Sequence, residues 1–433
     1  MKKVFLMAMC GLFVVAPDTA EAVTDAEIAE LREQLVLMSQ RLDQLEAENA
    51  TLKQSQGEVA SSIADVETSV AEVKAMDLTA AEEGWSDRVK LDGDFRYRYE
   101  SIGVEGSQTR QRNRIRARTN IKAQVSDRTE IGFGLATGGD DPVSTNQTLG
   151  GGGSSKSVAL NLAYADWEVI DGLHLIAGKY KNPLTRPGGT SLMWDGDWTP
   201  EGLAFKYKGD LIFANAFGSY LESDSKKSND SFAWGGQIGM TGSLGGLNLM
   251  GGVSYYSIEA AGKATTFGDP SDPDDFFGNT AVGPGGLPCG TVADVDCVYA
   301  YDYLLTEVFA EAKFELGDIP VTLYGDFVTN GDVSEEDTGW TLGAKVGQAK
   351  DRGQWQFSYY YSEKEADSML GLVTDSDFGG GGTDSKGHWL QVNWGVNKNW
   401  TVGAQYFIND IDLASGSSSD YDRLMIDMQW KWK

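Results

Sequence analysis

The stretch Arg110-Gln111-Arg112-Asn113-Arg114-Ile115-Arg116-Ala117-Arg118-Thr119-Asn120-Ile121-Lys122-Ala123-Gln124-Val125 alternates with a period of two. Ile115, Ala117, Thr119, Ile121, Ala123 and Val125 share one face, and Arg112, Arg114, Arg116, Arg118, Asn120, Lys122 and Gln124 share the other. This is a strand with one oily and one wet side. Energies decide where the wet side points. Four arginines turned into lipid would cost ~2–4 kcal/mol each at mid-bilayer, whereas neighbours ~7 Å apart on a wet face repel by only ~0.6 kcal/mol. The arginine face must meet water, and the uncharged face is free to meet lipid.

The same pattern extends in both directions. In Val89 to Glu100 the odd positions are mostly apolar or aromatic and the even positions mostly charged, with Arg96 and Arg98 among them. Uncharged faces recur at Trp355, Phe357, Tyr359, Tyr361; at Leu390, Val392, Trp394, Val396; and at Trp400, Val402, Ala404, Tyr406, Ile408. Strands are expected near 87–100, 110–125, 128–138, 157–169, 173–180, 201–208, 211–221, 231–241, 246–258, 300–316, 320–329, 338–348, 353–364, 386–396, 399–411 and 421–432. Short turns at Ser126-Asp127, Asp171-Gly172, Gly209-Asp210, Gly317-Asp318 and Asn397-Lys398 alternate with long Gly/Asp/Ser-rich loops at 139–156, 181–200, 259–299 and 365–384. The expected fold is all-β, a transmembrane antiparallel β-barrel of about 16 strands over residues 85–433, with the short turns on one side and the long loops on the other.

The N-terminus has the layout of an export signal over residues 1–22: Lys2 and Lys3, the apolar run Val4 to Ala16, and the Ala20-Glu21-Ala22 cleavage site. Met7 and Met9 before Cys10 do not make a lipobox. Beyond the signal no apolar run approaches the roughly 20 residues of a spanning helix. Residues 23–80 follow a heptad instead, with Ile28, Leu31, Leu35, Met38, Leu42 and Leu45, then Asn49, Leu52, Gln56, Val59, Ile63, Val66, Val70 and Val73. That seam predicts a coiled-coil rod of roughly 70 Å placed in the periplasm. Its β-branched second half favours a homotrimer, and its early leucines keep a dimer open.

The net charge of −28 argues against nucleic acid as a partner. After signal removal only Cys289 and Cys297 remain, and in an oxidising compartment such a close pair reads as a loop disulfide. No cofactor, metal centre or catalytic group is expected. His174 and His388 stand apart from any triad partner, Gly150 to Gly153 lacks the Lys-Ser/Thr of a phosphate loop, and Asp269 to Asp275 lacks the spacing of a calcium loop.

Gly178-Lys179-Tyr180-Lys181-Asn182-Pro183-Leu184, with Met193-Trp194-Asp195-Gly196-Asp197-Trp198-Thr199-Pro200-Glu201-Gly202-Leu203, resembles the corresponding segment of the "Putative porin" family of Gram-negative bacteria. The order of signal, coiled coil and barrel extends the resemblance over essentially the whole chain. One departure is the C-terminus, which ends on Lys433 with Trp432 one place early instead of a terminal aromatic. The resemblance implies an outer-membrane channel for passive diffusion of small hydrophilic solutes or ions. By strand count residues 181–200 form the third long loop, which in general porins resembling this chain folds into the lumen; there Arg186, Asp195, Asp197 and Glu201 would narrow it, and the alternative is an ordinary outer loop held by Pro183, Pro187 and Pro200. Arg96, Arg98, Arg112, Arg114, Arg116 and Arg118 have two readings. They are either an anion-conducting wall or a stiffening network with Asp92, Asp94, Glu307, Glu311 and Asp427. Beside a diffusion channel stand two other roles, a tether from the outer membrane to the cell wall and a selective channel for an anion such as phosphate.

Overall fold

The computed structural model describes residues 53, 85–223, 226 and 229–433. The signal and, apart from Lys53, the heptad segment 23–80 lie outside the described residues. Sixteen antiparallel strands form one closed sheet. In chain order they are β1 (Val89–Val104), β2 (Arg110–Ser126), β3 (Thr129–Thr137), β4 (Val158–Ile170), β5 (Leu173–Lys179), β6 (Glu201–Lys208), β7 (Ile212–Glu222) and β8 (Ser231–Leu244). The second half comprises β9 (Leu247–Ile258), β10 (Tyr303–Leu316), β11 (Ile319–Asn330), β12 (Thr338–Gly347), β13 (Trp355–Lys364), β14 (Ser385–Asn397), β15 (Trp400–Ile411) and β16 (Ser419–Trp432). Each strand pairs with its neighbours in sequence, so hairpins alone build the wall.

Closure is made by β1 against β16, from Gly93↔Trp432 to Val104↔Tyr421. A side chain at Gly93 would collide with the Trp432 ring, 2.3 Å from where its Cβ would stand, and with the Arg118 carbonyl oxygen at 2.2 Å. Glycine is the residue that lets the seam close there.

Side-chain parity follows the sequence. Ile121, Val125, Leu203, Phe205, Trp355, Phe357, Leu390 and Ile408 are exposed on the outer surface, while Arg98, Arg116, Gln237, Ser254, Glu307 and Asn409 are buried inside. Aromatic pairs mark both rims of the outer face. Trp355–Trp394 and Trp400–Trp430 stack at 6.0 and 5.3 Å near the short turns, and Trp234–Tyr255 and Trp340–Tyr361 lie at 5.9 and 5.2 Å near the long loops. These are the belts that an amphipathic ring forms at a membrane interface.

The long loops turn inward. β5 and β6 are only 7 and 8 residues long, against 16 for β1 and 17 for β2, so the connection 180–200 leaves the wall low and enters the barrel. Together with 259–302 and 365–384 it packs an apolar cluster against the inner face. Trp194 stacks on Trp198 at 4.5 Å and meets Phe217 and Tyr256 edge-on, and Leu370, Leu372, Val373, Phe276 and Tyr299 complete the cluster. Inner faces such as Tyr303 and Leu305 on β10 are apolar and belong to the same cluster. Cys289 and Cys297 are bridged within the 259–302 loop.

Candidate functional site

The inner faces of β1, β2 and β16 carry the densest charge among the described residues. Register sets Asp94 opposite Arg118, Arg96 opposite Arg116, Arg98 opposite Arg114 and Glu100 opposite Arg112. Across the closure seam Arg98 faces Asp427, and Arg423 stands beside Ile102. Arginines of two strands thus alternate with carboxylates on one wall.

Most of these charges are paired. Arg98 binds Asp427 at 2.7 Å and Asp377 at 3.1 Å. Arg116 and Arg118 share Asp94 at 2.9 and 2.7 Å and reach Asp197 at 3.5 and 2.7 Å. Glu100 is fully buried and accepts from Arg112 and from Arg423, the latter at 2.5 Å, with Arg114 at 3.7 Å. Two arginines are left short. Among the described residues Arg96 donates to the Asn146 side chain alone, at 2.6 Å, and the Nε atoms of Arg96 and Arg114 are buried without a partner, as is that of the doubly ion-paired Arg423.

The loops supply the counter-charges, and each is held where it works. The turn Pro187–Gly189 of the 180–200 loop crosses to the far wall, where the Gly188 N–H donates to Glu311 at 2.7 Å. A Cβ at Gly188, whose φ is +60°, would stand 2.3 Å from the Tyr324 ring. The return leg brings Asp197 to Arg116 and Arg118. The 365–384 loop brings Asp377 to Arg98 and Arg423. The two loops join where Asp195 donates its N–H to the Val373 carbonyl at 2.8 Å and accepts from the Ser376 N–H at 3.3 Å.

Titration separates these loop acids into two kinds. Burial pushes Asp195 up, and the neighbouring Asp375 and Asp197 push it further. Asp375 is raised by burial and by Asp377. Burial acts the same way on Asp197 and Asp377, but Arg116 and Arg118 for the first and Arg423 and Arg98 for the second reverse it, leaving both below the ordinary value.

Several expectations need correction. Glu201 does not narrow the lumen. It opens β6 in line with the outward Leu203 and Phe205 and pairs with Lys179 on the exposed side at 2.6 Å. Arg186 is inside, yet its guanidinium binds the Trp194 carbonyl at 2.9 Å within its own loop. Glu307 and Glu311 do not join the arginine network, because β10 lies halfway round the barrel from β1 and β2; Glu307 accepts from Ser254 and Tyr256. Asp92 accepts from Asn120 instead of an arginine. Glu100, Asp377 and Arg423 belong to the network and were not singled out from the sequence. Asp269 and Asp275 accept backbone N–H groups of their own loop. His174 binds Asp166 at 2.7 Å, and His388 lies on the outer surface beside Tyr359.

Two cavities of about 430 Å³ each flank the network. One opens towards the long loops and is lined by Arg110, Arg112, Arg114 and Arg423. The other opens towards the short turns and is lined by Arg118, Lys181, Arg186 and Lys431 together with Asp92, Asp94 and Asp197.

A closed barrel with aromatic rims, a charged inner wall and an infolded loop defines an outer-membrane channel protein. The "Putative porin" family model matches residues 104–275 and 290–432, and the chain belongs to that family. Among solved structures, OprB of Pseudomonas putida, in a high-pH structure, is similar with a TM-score of 0.52 at 13% identity, over 80% of this chain and 95% of that one. OmpF of Salmonella typhi, in a complex with daunomycin, has a TM-score of 0.47 at 12% identity, over 79% and 97%. At such identity the likeness to OprB speaks for the fold alone. No curated protein matches the sequence.

Proposed function

We propose that the barrel is a diffusion channel for small hydrophilic solutes that favours anions. The observation that carries this is the imbalance along the wall of β1, β2 and β16, opposite a far wall that carries the buried acids Glu307, Glu311 and Asp326. Arg96, Arg98, Arg112, Arg114, Arg116, Arg118 and Arg423 are met by Asp94, Glu100, Asp197, Asp377 and Asp427, so cations are in excess in a protein whose net charge is −28. Wall charges in a narrow lumen lie within the ~8 Å screening length of physiological salt and outweigh distant loop charges. In planar bilayers under a salt gradient the wild-type reversal potential is expected to be anion-selective. Arg96→Gln combined with Arg114→Gln, which removes the two least neutralised charges, is expected to move it towards cations. Cation-selective wild-type current would overturn the reading.

The loop packing inside the barrel favours a second reading, a structural anchor whose coiled coil reaches the cell wall. A silent barrel in the same bilayers would support it. The heptad seam of residues 23–80 supports a trimeric assembly, and a peptide of those residues is expected to sediment as a trimer. A dimer would remove the trimer, and a monomer at micromolar concentration would remove the coiled coil.

A further inference from the structure

We infer that the cavity at the long-loop mouth binds a small organic carboxylate with an apolar or aromatic body. This rests on the reading that anions pass through this lumen, and adds to it the class of anion that is retained.

One wall of the cavity is a set of hydrogen-bond donors with capacity to spare. Arg110, Arg112 and Arg114 alternate along the inner face of β2, so successive guanidinium groups are rooted roughly 7 Å apart, and Arg423 joins them from β16. The carboxylate beneath them, Glu100, is already taken up by Arg112 and Arg423. Arg114 stands 3.7 Å from it with a bare Nε. Arg110 is exposed and forms no ion pair among the described residues. A planar guanidinium fork matches the two oxygens of a carboxylate, and Arg110, without an ion pair among the described residues, and the bare Nε of Arg114 offer donors to a ligand.

The remaining lining holds one carboxylate, Asp141, and the polar side chains of Gln108, Ser144, Thr374 and Ser376, and beside them an apolar surface. Val143, Phe267, Phe277 and Leu372 face the same space, with the rings of Phe267 and Phe277 nearly parallel at 6.3 Å and 18°. Three successive glycines, Gly380 to Gly382, leave another stretch of the lining without side chains. An inorganic oxyanion keeps its hydration and gains nothing from apolar carbon, whereas a hydrocarbon or aromatic body does. A space of about 430 Å³ also falls within the range of small-molecule sites that combine an apolar lining with a few placed polar groups. The guanidinium groups select the anionic end and the apolar surface selects the rest.

The test uses the full-length protein in planar bilayers, with chloride current measured while benzoate, acetate or inorganic phosphate is added on the long-loop side. Benzoate is expected to inhibit in a saturable manner, at about tenfold lower concentration than acetate or phosphate. Arg114→Gln is expected to raise its half-inhibitory concentration by about tenfold, the effect of losing one charge-assisted hydrogen bond. Phe277→Ala should weaken benzoate and leave acetate unchanged. Arg110→Gln alters an exposed, unpaired side chain, so weaker benzoate inhibition by a variant that still shows heat-modifiable migration supports the site without recourse to misfolding. Equal inhibition by phosphate and benzoate would overturn the organic class. Anion-selective current that no added anion saturates would overturn the site while the channel reading stands. A cation-selective wild type would bring down the channel reading itself.

Discussion

The two halves of the inner wall bury charge in different ways. On β1, β2 and β16, arginines sit against ionised carboxylates, several drawn from loops that return to the wall, and Glu100 lies between Arg112, Arg114 and Arg423 with no exposure. On β10, the buried acids meet hydroxyls, a backbone N–H group and one flanking lysine, and on β11 Asp326 keeps a buried Oδ1 without a partner among the described residues. Glu307 accepts from Ser254 and Tyr256, and Glu311 from the Gly188 N–H and from Lys313. A buried ion pair loses little when both charges are present and much when one is removed. A hydrogen-bonded acid depends on fewer and weaker partners. The arginine wall is therefore rigid because it is interdependent, and the far wall serves as a rest for the tip of the 180–200 loop.

The largest expected effect tests that difference. Glu100→Gln would leave three guanidinium groups facing one another around a neutral amide. A loss of about 3–5 kcal/mol is expected, the range for breaking a buried charge cluster from one side. Glu311→Gln removes one carboxylate from a backbone donor and a mostly exposed lysine, and about 1–3 kcal/mol is expected. Urea unfolding in detergent, followed by the heat-modifiable band, measures both. Equal losses would dissolve the contrast between the walls.

Strand parity made the barrel legible. Every expected strand has a counterpart in the structure, with ends displaced by a few residues, because a period of two over a lipid-facing surface leaves little choice of register. Parity also held the signal for two network members that were not singled out: Glu100 lies in the even row with Arg96 and Arg98, and Arg423 lies four residues before Asp427 on the same face. Applied to Glu201, the same parity points outward with Leu203 and Phe205. Asp377 is different. It sits in an irregular loop where no period constrains its side chain, and only the fold brings it to Arg98. The apolar run Met369-Leu370-Gly371-Leu372-Val373 within a nominal loop was the available sign that this segment is buried.

The smallest expected effect is a dependence on pH of the junction between the two infolded loops, and it has two signs. Asp195 and Asp375 are raised above their unfolded values, first by burial and then by neighbouring carboxylates. An acid raised in the folded state opposes folding while ionised, so mild acidification that protonates this pair should tighten the junction. Asp197 and Asp377 are lowered, because the arginines around them more than offset burial. Their stabilisation is complete above the unfolded carboxylate range of roughly 4 and is lost as pH falls through their depressed folded values. Channel noise from loop motion should therefore decrease from neutral pH towards the carboxylate range and rise again in stronger acid. Asp195→Asn should shrink the first phase to the part that Asp375 contributes and keep the second, since the amide mimics the protonated acid. Asp377→Asn should show the acid-state noise already at neutral pH. A monotonic response in the wild type would mean that the loop acids titrate as one group, and the arginine wall would then have no separate hold on the loops.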